Sequence, residues 1–262
     1  MINELFTTVI TSINVFLLIL SRVIGFISVA PVYGRNGIPM YVKIGLSIIV
    51  SYIVLPFLIF ETPAPIGSAE LIFLSFKEVI TGLGLGLIAQ LFFSIFASAG
   101  SIIDMDLGLS MSQVYDPQIG GQVTVTSKFM DIFAYLIFLY IDGHHYLMRA
   151  IINSFYILPL GEVHIANDNF INFIIKLFDY LLISSITIAI PIIISIFLGN
   201  LLLAFMAKIM PQMNVFVVGM PFKIFMGLII FIISLPYMGD LIRKILMNIY
   251  QYLYLFLDIV KG

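Results

Sequence analysis

Long stretches without a charged side chain constrain this sequence more than any other feature. Two of them, Val79–Ile103 and Tyr180–Ala207, exceed the roughly 20 apolar residues that an α-helix needs to cross a bilayer. Across the chain 61% of residues are hydrophobic and 10% are charged, whereas a soluble domain carries about 25% charged residues. A water-soluble globule of 262 residues could not hide so much apolar surface. The excess must face lipid or other apolar proteins.

The other apolar runs are shorter and differ in length. They include Leu5–Ser21, Ile44–Phe60, Ile224–Gly239 and Ile245–Leu257. Alternation of apolar and polar residues, which a transmembrane β-barrel requires, does not extend over comparable lengths. Prolines lie inside or beside the runs, and each removes a backbone hydrogen bond that lipid cannot replace. The sequence therefore predicts an all-α, integral-membrane fold of helical hairpins with broken helices.

Three glycines lie close together in the run Val79–Ile103. Gly82 and Gly86 are four residues apart, with Gly84 between them, so Gly82 and Gly86 share one face of a helix. Small residues at this spacing let two helix backbones approach closely. We predict an ordinary helix contact here rather than a gating element.

Charge and residue usage exclude several functional classes. Twelve Lys and Arg against 14 Asp and Glu give a net charge of −2, and no basic cluster could neutralise phosphates, so we expect no nucleic-acid partner. The absence of cysteine removes thiolate metal sites and Cys nucleophiles. His144 and His145 are adjacent, which on a helix turns them about 100° apart, too divergent for one metal ion. We expect no metal site and no cofactor.

An intramembrane aspartyl protease is also disfavoured. Such an enzyme would pair two carboxylates, one from a Tyr-Asp motif and one from a Gly-x-Gly-Asp motif. Tyr115-Asp116 is present but is followed by Pro117 in a loop, and the segment Tyr237–Asp240 lacks the first glycine. The sequence predicts no catalytic residues.

Charged residues near the apolar runs need partners, because each costs roughly 2.5–3.5 kcal/mol at the centre of a membrane span. Lys128 and Asp131 are three residues apart, as are Lys176 and Asp179, so each couple could form an ion pair across one helical turn. Arg22 follows a long uncharged run and has no acidic neighbour. We predict an acidic or carbonyl partner for Arg22 on another helix or subunit.

Three methionines, Met206, Met210 and Met213, have the four- and three-residue spacing of one helix face. Methionine is flexible and apolar, so such a face could seal a pore against water and ions around varied chains. Core filling is the favoured interpretation, and a pore seal is the alternative.

The connection Asp104–Lys128 is the most informative one. Loops longer than about 12–15 residues are uncommon in compact domains and are usually functional or disordered. Its apolar residues, among them Val114, Ile119 and Val123, favour an ordered insert. A surface loop that only connects two helices is the alternative.

Several segments resemble one known family. They are APVYGRNGIPMYVKIGLS at Ala30–Ser47, MDLGLSMSQVYDPQIGGQVTVTSKFMDIFAYLIFLYIDGHH at Met105–His145, Leu158–Gly161, and MPQMNVFVVGMPFKI at Met210–Ile224. In this combination and order they resemble the FliR/SctT family of type III secretion export gates, over essentially the whole chain.

The resemblance implies a pore-forming subunit of the flagellar export gate, in the bacterial inner membrane at the flagellar basal body. Its partners would be FliP, FliQ, FlhB and FlhA, and unfolded flagellar proteins would pass through the assembly. The family's architecture implies a FliP-like part over residues 1–175 and a FliQ-like hairpin over residues 176–262.

By the same resemblance, the segment Ser110–Thr126 plugs the closed pore. The plug residues carried over are Ser110, Met111, Ser112, Gln113, Val114, Tyr115, Asp116, Pro117, Gln118, Ile119, Gly120, Gly121 and Gln122. Short polar residues, glycine and proline permit compact turns without deep apolar burial, which suits two states of similar free energy.

A secondary transporter for a small solute is the alternative function, because broken helices and charges within the membrane are also typical of transporters. That class is built from two matching halves, and we find no internal repeat in this sequence.

Overall fold

The computed structural model of the protein describes residues 2–58, 67–111, 114–116, 121–163, 168–210, 212 and 214–261. Within them the helices are α1 Ile2–Val29, α2 Met40–Leu58, α3 Ser68–Leu107, α4 Val125–Tyr140, α5 Gly143–Ile157, α6 Asp168–Ile209 and α7 Val215–Lys261. The only strands described, β1 Val114–Asp116 and β2 Gly121–Val123, lie in the long insert. The prediction of an all-α, integral-membrane fold is confirmed.

Five helices in the described part of the chain are long and apolar enough to cross a membrane. The candidate spans are Ser12–Val29, Met40–Leu58, Ala69–Leu107, Asn169–Ile209 and Val217–Lys261. α3, α6 and α7 have 40, 42 and 47 residues, which at 1.5 Å per residue makes each about 60–70 Å long. The hydrocarbon core of a bilayer is about 30 Å thick, so these three helices are about twice as long as crossing requires.

Three prolines expected at helix breaks lie inside continuous helices. α6 runs through Pro191, and α7 runs through Pro221 and Pro236. The prediction of breaks is wrong at these positions. A proline removes one hydrogen bond, and the helical turns on either side keep theirs, so a long helix can continue through it. Pro211 lies outside the described residues.

The chain forms two compact units. The first consists of Met1–Leu91, His144–Lys176 and Ile249–Gly262, and the second of Phe92–Gly143 and Leu177–Asn248. Neither unit is a continuous part of the sequence. The division into residues 1–175 and 176–262 stays a prediction.

In the first unit, glycines bring α1 and α3 into direct backbone contact. A Cβ added at Gly82 would overlap the carbonyl oxygen of Arg22, and one at Gly86 would lie 2.8 Å from the carbonyl oxygen of Phe26. On α1, Gly25 faces the carbonyl oxygen of Val79 in the same way. The prediction of a close helix contact at Gly82 and Gly86 is confirmed.

In the second unit, aromatic rings connect α3 to α4. The ring of Phe93 stacks on Tyr135 with centroids 4.4 Å apart and meets Phe138 edge-on at 5.2 Å. Further along α3, a Cβ at Gly100 would overlap the backbone of Ser127, so the two helices again touch through backbone atoms. This contact leads directly to the insert between α3 and α4.

The insert contains a short antiparallel β-hairpin. Its register pairs Val114 with Val123, Tyr115 with Gln122 and Asp116 with Gly121. A single turn of 3-10 helix, Leu109–Met111, precedes β1. The apolar residues of the insert predict order here but not strands.

Replacing Gly82 by Ala tests the contact between α1 and α3. Because the added methyl group would overlap the Arg22 carbonyl oxygen, we expect a loss of roughly 1–3 kcal/mol in the free energy of unfolding. Gly45→Ala in α2 is the matched control, since no atom lies within 4 Å of its Cβ position. That substitution should stabilise the helix by roughly 0.5–1 kcal/mol. Circular dichroism during heating in detergent measures both, and equal melting shifts would contradict this helix crossing.

Candidate functional site

A buried ion pair lies at the centre of the first unit. Both side chains, Arg22 on α1 and Glu78 on α3, are 0% exposed, and Arg22 Nε donates to Glu78 Oε2 at 2.5 Å. The guanidinium carbon lies 4.5 Å from the centroid of the Phe155 ring, a distance typical of a cation–π contact. The acidic partner that the sequence requires for Arg22 is therefore Glu78, 56 residues away.

Three backbone groups and one hydroxyl extend this cluster. Arg22 Nη1 donates to the carbonyl oxygens of Ser154 and Leu158, each at 3.0 Å, and to the Ser154 hydroxyl at 3.2 Å. Glu78 Oε1 accepts the backbone N–H of Gly161 at 2.9 Å. We call these five residues, Arg22, Glu78, Ser154, Leu158 and Gly161, the Arg22 cluster. It joins α1 and α3 to the end of α5.

Two residues of the segment Leu158–Gly161 belong to the Arg22 cluster. Leu158 supplies a carbonyl oxygen as α5 ends, and Pro159, without an N–H, lies where the helix has stopped. Gly161 has a φ of +87°, a conformation that costs glycine little, and so turns its N–H toward Glu78.

The ends of the insert are held by a second buried carboxylate, in the second unit. Asp104, in the last turn of α3, is buried and accepts the backbone N–H of Thr126 at 2.8 Å and the Thr126 hydroxyl at 2.5 Å. Thr126 lies in the first turn of α4. We call this Asp104–Thr126 interaction the Asp104 clasp. No role for Asp104 follows from the sequence, although Asp104 is the residue at which the uncharged run of α3 ends.

The described residues include some of the predicted plug residues and not others. Ser110 and Met111 belong to the 3-10 turn, and two groups, Val114–Asp116 and Gly121–Gln122, belong to the hairpin. Ser112, Gln113, Pro117, Gln118, Ile119 and Gly120 lie outside the described residues. The role of the segment as a plug stays a prediction.

The two predicted intrahelical pairs differ in burial. Lys128 and Asp131 on α4 are half-buried, and their pairing with each other stays a prediction. Lys176 and Asp179 on α6 are exposed, so the prediction that they form a buried pair is wrong. An apolar run in the sequence does not reveal which side of its helix is covered within the chain, and these charges lie on the uncovered side.

The favoured interpretation of the methionine face is wrong for two of its three members. Met206 is 44% exposed and Met210 is 54% exposed, so neither fills the core of this chain. Met213 lies outside the described residues. Apolar side chains left uncovered at helical spacing are available to a pore or to another subunit.

His144 and His145, in the first turn of α5, are closer than expected. Their ring centroids are 4.1 Å apart, so the argument that the rings diverge too far to share a ligand is wrong. The backbone carbonyl of His144 accepts a hydrogen bond from the Tyr33 hydroxyl at 3.2 Å, and burial raises the pKa of the Tyr33 phenol.

A cavity of about 420 Å³ lies beside the end of α3 in the second unit. Its charged lining groups are Asp106 from α3 and Lys223 from α7, and Asn200 adds an amide. Leu203 and Met220 line the cavity with apolar side chains. The cavity is large enough for a small solute or for one side chain of another polypeptide.

The sequence of this chain is similar to those of one family of known proteins. Residues 13–249 match the family described as bacterial export proteins, family 1. The flagellar biosynthetic protein FliR of Bacillus subtilis is 32% identical over 233 residues, covering 88% of this chain and 89% of that protein. FliR of Pectobacterium carotovorum is 33% identical, covering 82% of each. The surface presentation of antigens protein SpaR of Shigella flexneri is 34% identical, covering 85% of this chain and 88% of SpaR.

Single and double substitutions test the Arg22 cluster. Arg22→Met or Glu78→Leu alone leaves one buried charge without its partner, so we expect each to cost roughly 3–5 kcal/mol in the free energy of unfolding. The double variant removes both charges and should recover most of that loss. Arg243→Met, at an exposed arginine of α7, is the control and should change little. Unfolding in detergent provides the measurement, and additive losses in the double variant would show that the two charges do not pair.

Proposed function

The chain belongs to family 1 of the bacterial export proteins, and we propose that it is a pore-forming subunit of the flagellar protein export gate. Its relatives include flagellar FliR proteins and also SpaR. The chain is therefore a membrane component of a flagellar or type III export apparatus. The observation that carries the finer proposal is the buried clasp at the base of an insert that contains a hairpin.

The lengths and exposed faces of the helices support an assembly with other subunits. In the spans Met40–Leu58 and Val217–Lys261 only 22% of the residues in the most apolar window are buried within the chain. Lipid can cover about 30 Å of an upright helix, which is half or less of α3, α6 or α7. Apolar faces beyond that length need protein partners, because water would penalise their exposure.

We assign these faces to FliP, FliQ, FlhB and FlhA, with a FliP-like part over residues 1–175 and a FliQ-like hairpin over residues 176–262. The assembly would lie in the bacterial inner membrane at the flagellar basal body and pass unfolded flagellar proteins. The chain would form part of the passage for these proteins, and it would neither catalyse a reaction nor bind a cofactor.

The insert Ser110–Thr126 is the proposed plug. The Asp104 clasp holds its two ends together, so the position of the segment between them is tied to the contact between α3 and α4. A plug must have closed and open states that differ by only a few kcal/mol, since a larger gap would fix one of them. A two-stranded hairpin with short strands is marginal in isolation, which suits such a balance.

The cavity beside Asp106 and Lys223 favours a second candidate, a secondary transporter. Its volume of about 420 Å³ and its opposite charges would fit a small zwitterionic solute. The family match and the clasped insert favour the export gate, since a transporter site gives no reason for either.

Removing the plug residues Ser110–Gln122 tests the proposed function. Replacing them by a short Gly-Ser linker leaves Asp104 and Thr126 in place, so α3 and α4 can remain connected at the clasp. We expect the assembled complex, reconstituted in liposomes, to leak small ions at a rate well above that of the wild-type complex. The control is the same linker placed in the wild-type chain after Gly37, an exposed turn residue with open space around it. Unchanged permeability in fully assembled complexes would refute the plug.

The exposed methionines provide a second test of the gate. If Met206 and Met210 seal the passage, replacing both by Ala should raise ion leakage severalfold without reducing the yield of the complex, because neither fills the core. Met247→Ala, at another exposed methionine of the second unit, is the matched control. Leakage at the wild-type level in the double variant would exclude a sealing role.

A further inference from the structure

The contact between α3 and α4 in the second unit ends in a single buried carboxylate. Ala97, Gly100 and Asp104 follow one another along one face of α3, at intervals of three and four residues. The Ala97 carbonyl accepts the Ser127 hydroxyl at 2.8 Å, and Gly100 lies against the Ser127 backbone. Asp104 lies on this face in the last turn of α3, which ends at Leu107.

The position of Asp104 is unfavourable within its own helix. A helix C-terminus carries partial negative charge, so an aspartate in the last turn of α3 is repelled by the nearby carbonyl groups. Aspartate is also seldom fully buried unless it has a partner. An interaction outside α3 has to compensate for both costs.

The beginning of α4 supplies that compensation. The first N–H groups of a helix lack partners within the helix and carry partial positive charge. Asp104 accepts the N–H of Thr126 at 2.8 Å, and the Thr126 hydroxyl donates to its second oxygen at 2.5 Å. One carboxylate therefore stabilises the start of α4 from the end of α3, and its two hydrogen bonds span 22 residues of sequence.

The Asp104 clasp fixes the geometry from which the hairpin starts. The segment between the clasped residues has both ends at one place, as in a compact Ω-loop. A two-stranded hairpin keeps its direction only if its ends are fixed, since two short strands are marginally stable alone. Release of the clasp would let the insert turn about the remaining contact at Ser127.

We propose that Asp104 is the positioning residue that holds the insert in the closed state of the gate, through Thr126. This inference rests on the proposed function, because it names the interaction that keeps the proposed plug in place. The closed state then depends on one buried carboxylate rather than on the surface of the hairpin.

Substitutions at the clasp test the inference in the assembled, reconstituted complex. Asp104→Ala removes both hydrogen bonds, and we expect ion leakage to rise about tenfold to a hundredfold, the factor associated with losing hydrogen bonds to a charged group. Asp104→Asn keeps an acceptor for the N–H and can donate to the hydroxyl, so its leakage should stay within about tenfold of wild type. Thr126→Val should lie between Asp104→Ala and wild type, and Thr126→Ser should behave as wild type.

Ser127→Ala is the matched control. It removes the hydrogen bond to Ala97 in the same helix contact but leaves the clasp intact. A loss of stability without leakage is expected there. Leakage from Ser127→Ala equal to that from Asp104→Ala would mean that any weakening of the contact opens the gate, and it would overturn the specific role of Asp104.

A disulfide provides a reversible version of the clasp. The chain has no cysteine, so Asp104→Cys with Thr126→Cys introduces its only thiol pair. The oxidised complex should be sealed, and reduction should raise leakage to the level of Asp104→Ala. This pair also decides the matter if Asp104→Ala fails to assemble. An oxidised pair that leaks, or a reduced pair that stays sealed, would overturn the inference.

The two possible failures are distinguishable. If removal of Ser110–Gln122 causes leakage and loss of the clasp does not, Asp104 has no positioning role and the proposed plug stands. If neither change causes leakage, the plug itself is wrong and this inference fails with it.

Discussion

The first unit depends on the burial of one charged pair, Arg22 with Glu78, inside helices that are otherwise apolar. A buried charge without an opposite charge nearby would destabilise the fold by more than an apolar contact stabilises it, so the helices meet where the two charges pair. The backbone approach at Gly82 lies at the Arg22 carbonyl oxygen itself. The ion pair and the glycine contact therefore act as one joint between α1 and α3, and the carbonyls of Ser154 and Leu158 extend it to α5.

In each unit a buried charged side chain binds the end of a helix that carries the opposite partial charge. Arg22 donates to carbonyl oxygens at the C-terminal end of α5, where a helix has partial negative charge and free acceptors. Asp104 accepts from the N-terminal turn of α4, where a helix has partial positive charge and free donors. In lipid or under another subunit no water can satisfy these groups. A charged side chain from α1 or α3 takes the place of water in each case.

The sequence was informative where a residue's own chemistry decides its surroundings. The uncharged runs required helices, the spacing of Gly82 and Gly86 required a close contact, and the isolation of Arg22 required a partner. The sequence could not identify Glu78 as the partner of Arg22, because an acidic residue at the edge of an apolar run follows the same sequence pattern whether it is solvated or buried. It also mistook the exposed Met206 for core, since partner-facing and core-facing apolar residues follow the same helical period.

In the proposed export gate, other subunits occupy the uncovered apolar faces of this chain. Native mass spectrometry tests this occupancy by measuring the mass of the detergent-solubilised particle that is purified through a tag on this chain. Expressed with FliP and FliQ, the chain should appear in one defined heteromeric complex, and expressed alone it should aggregate. A stable, monodisperse monomer from the chain expressed alone would show that these faces need no other subunit.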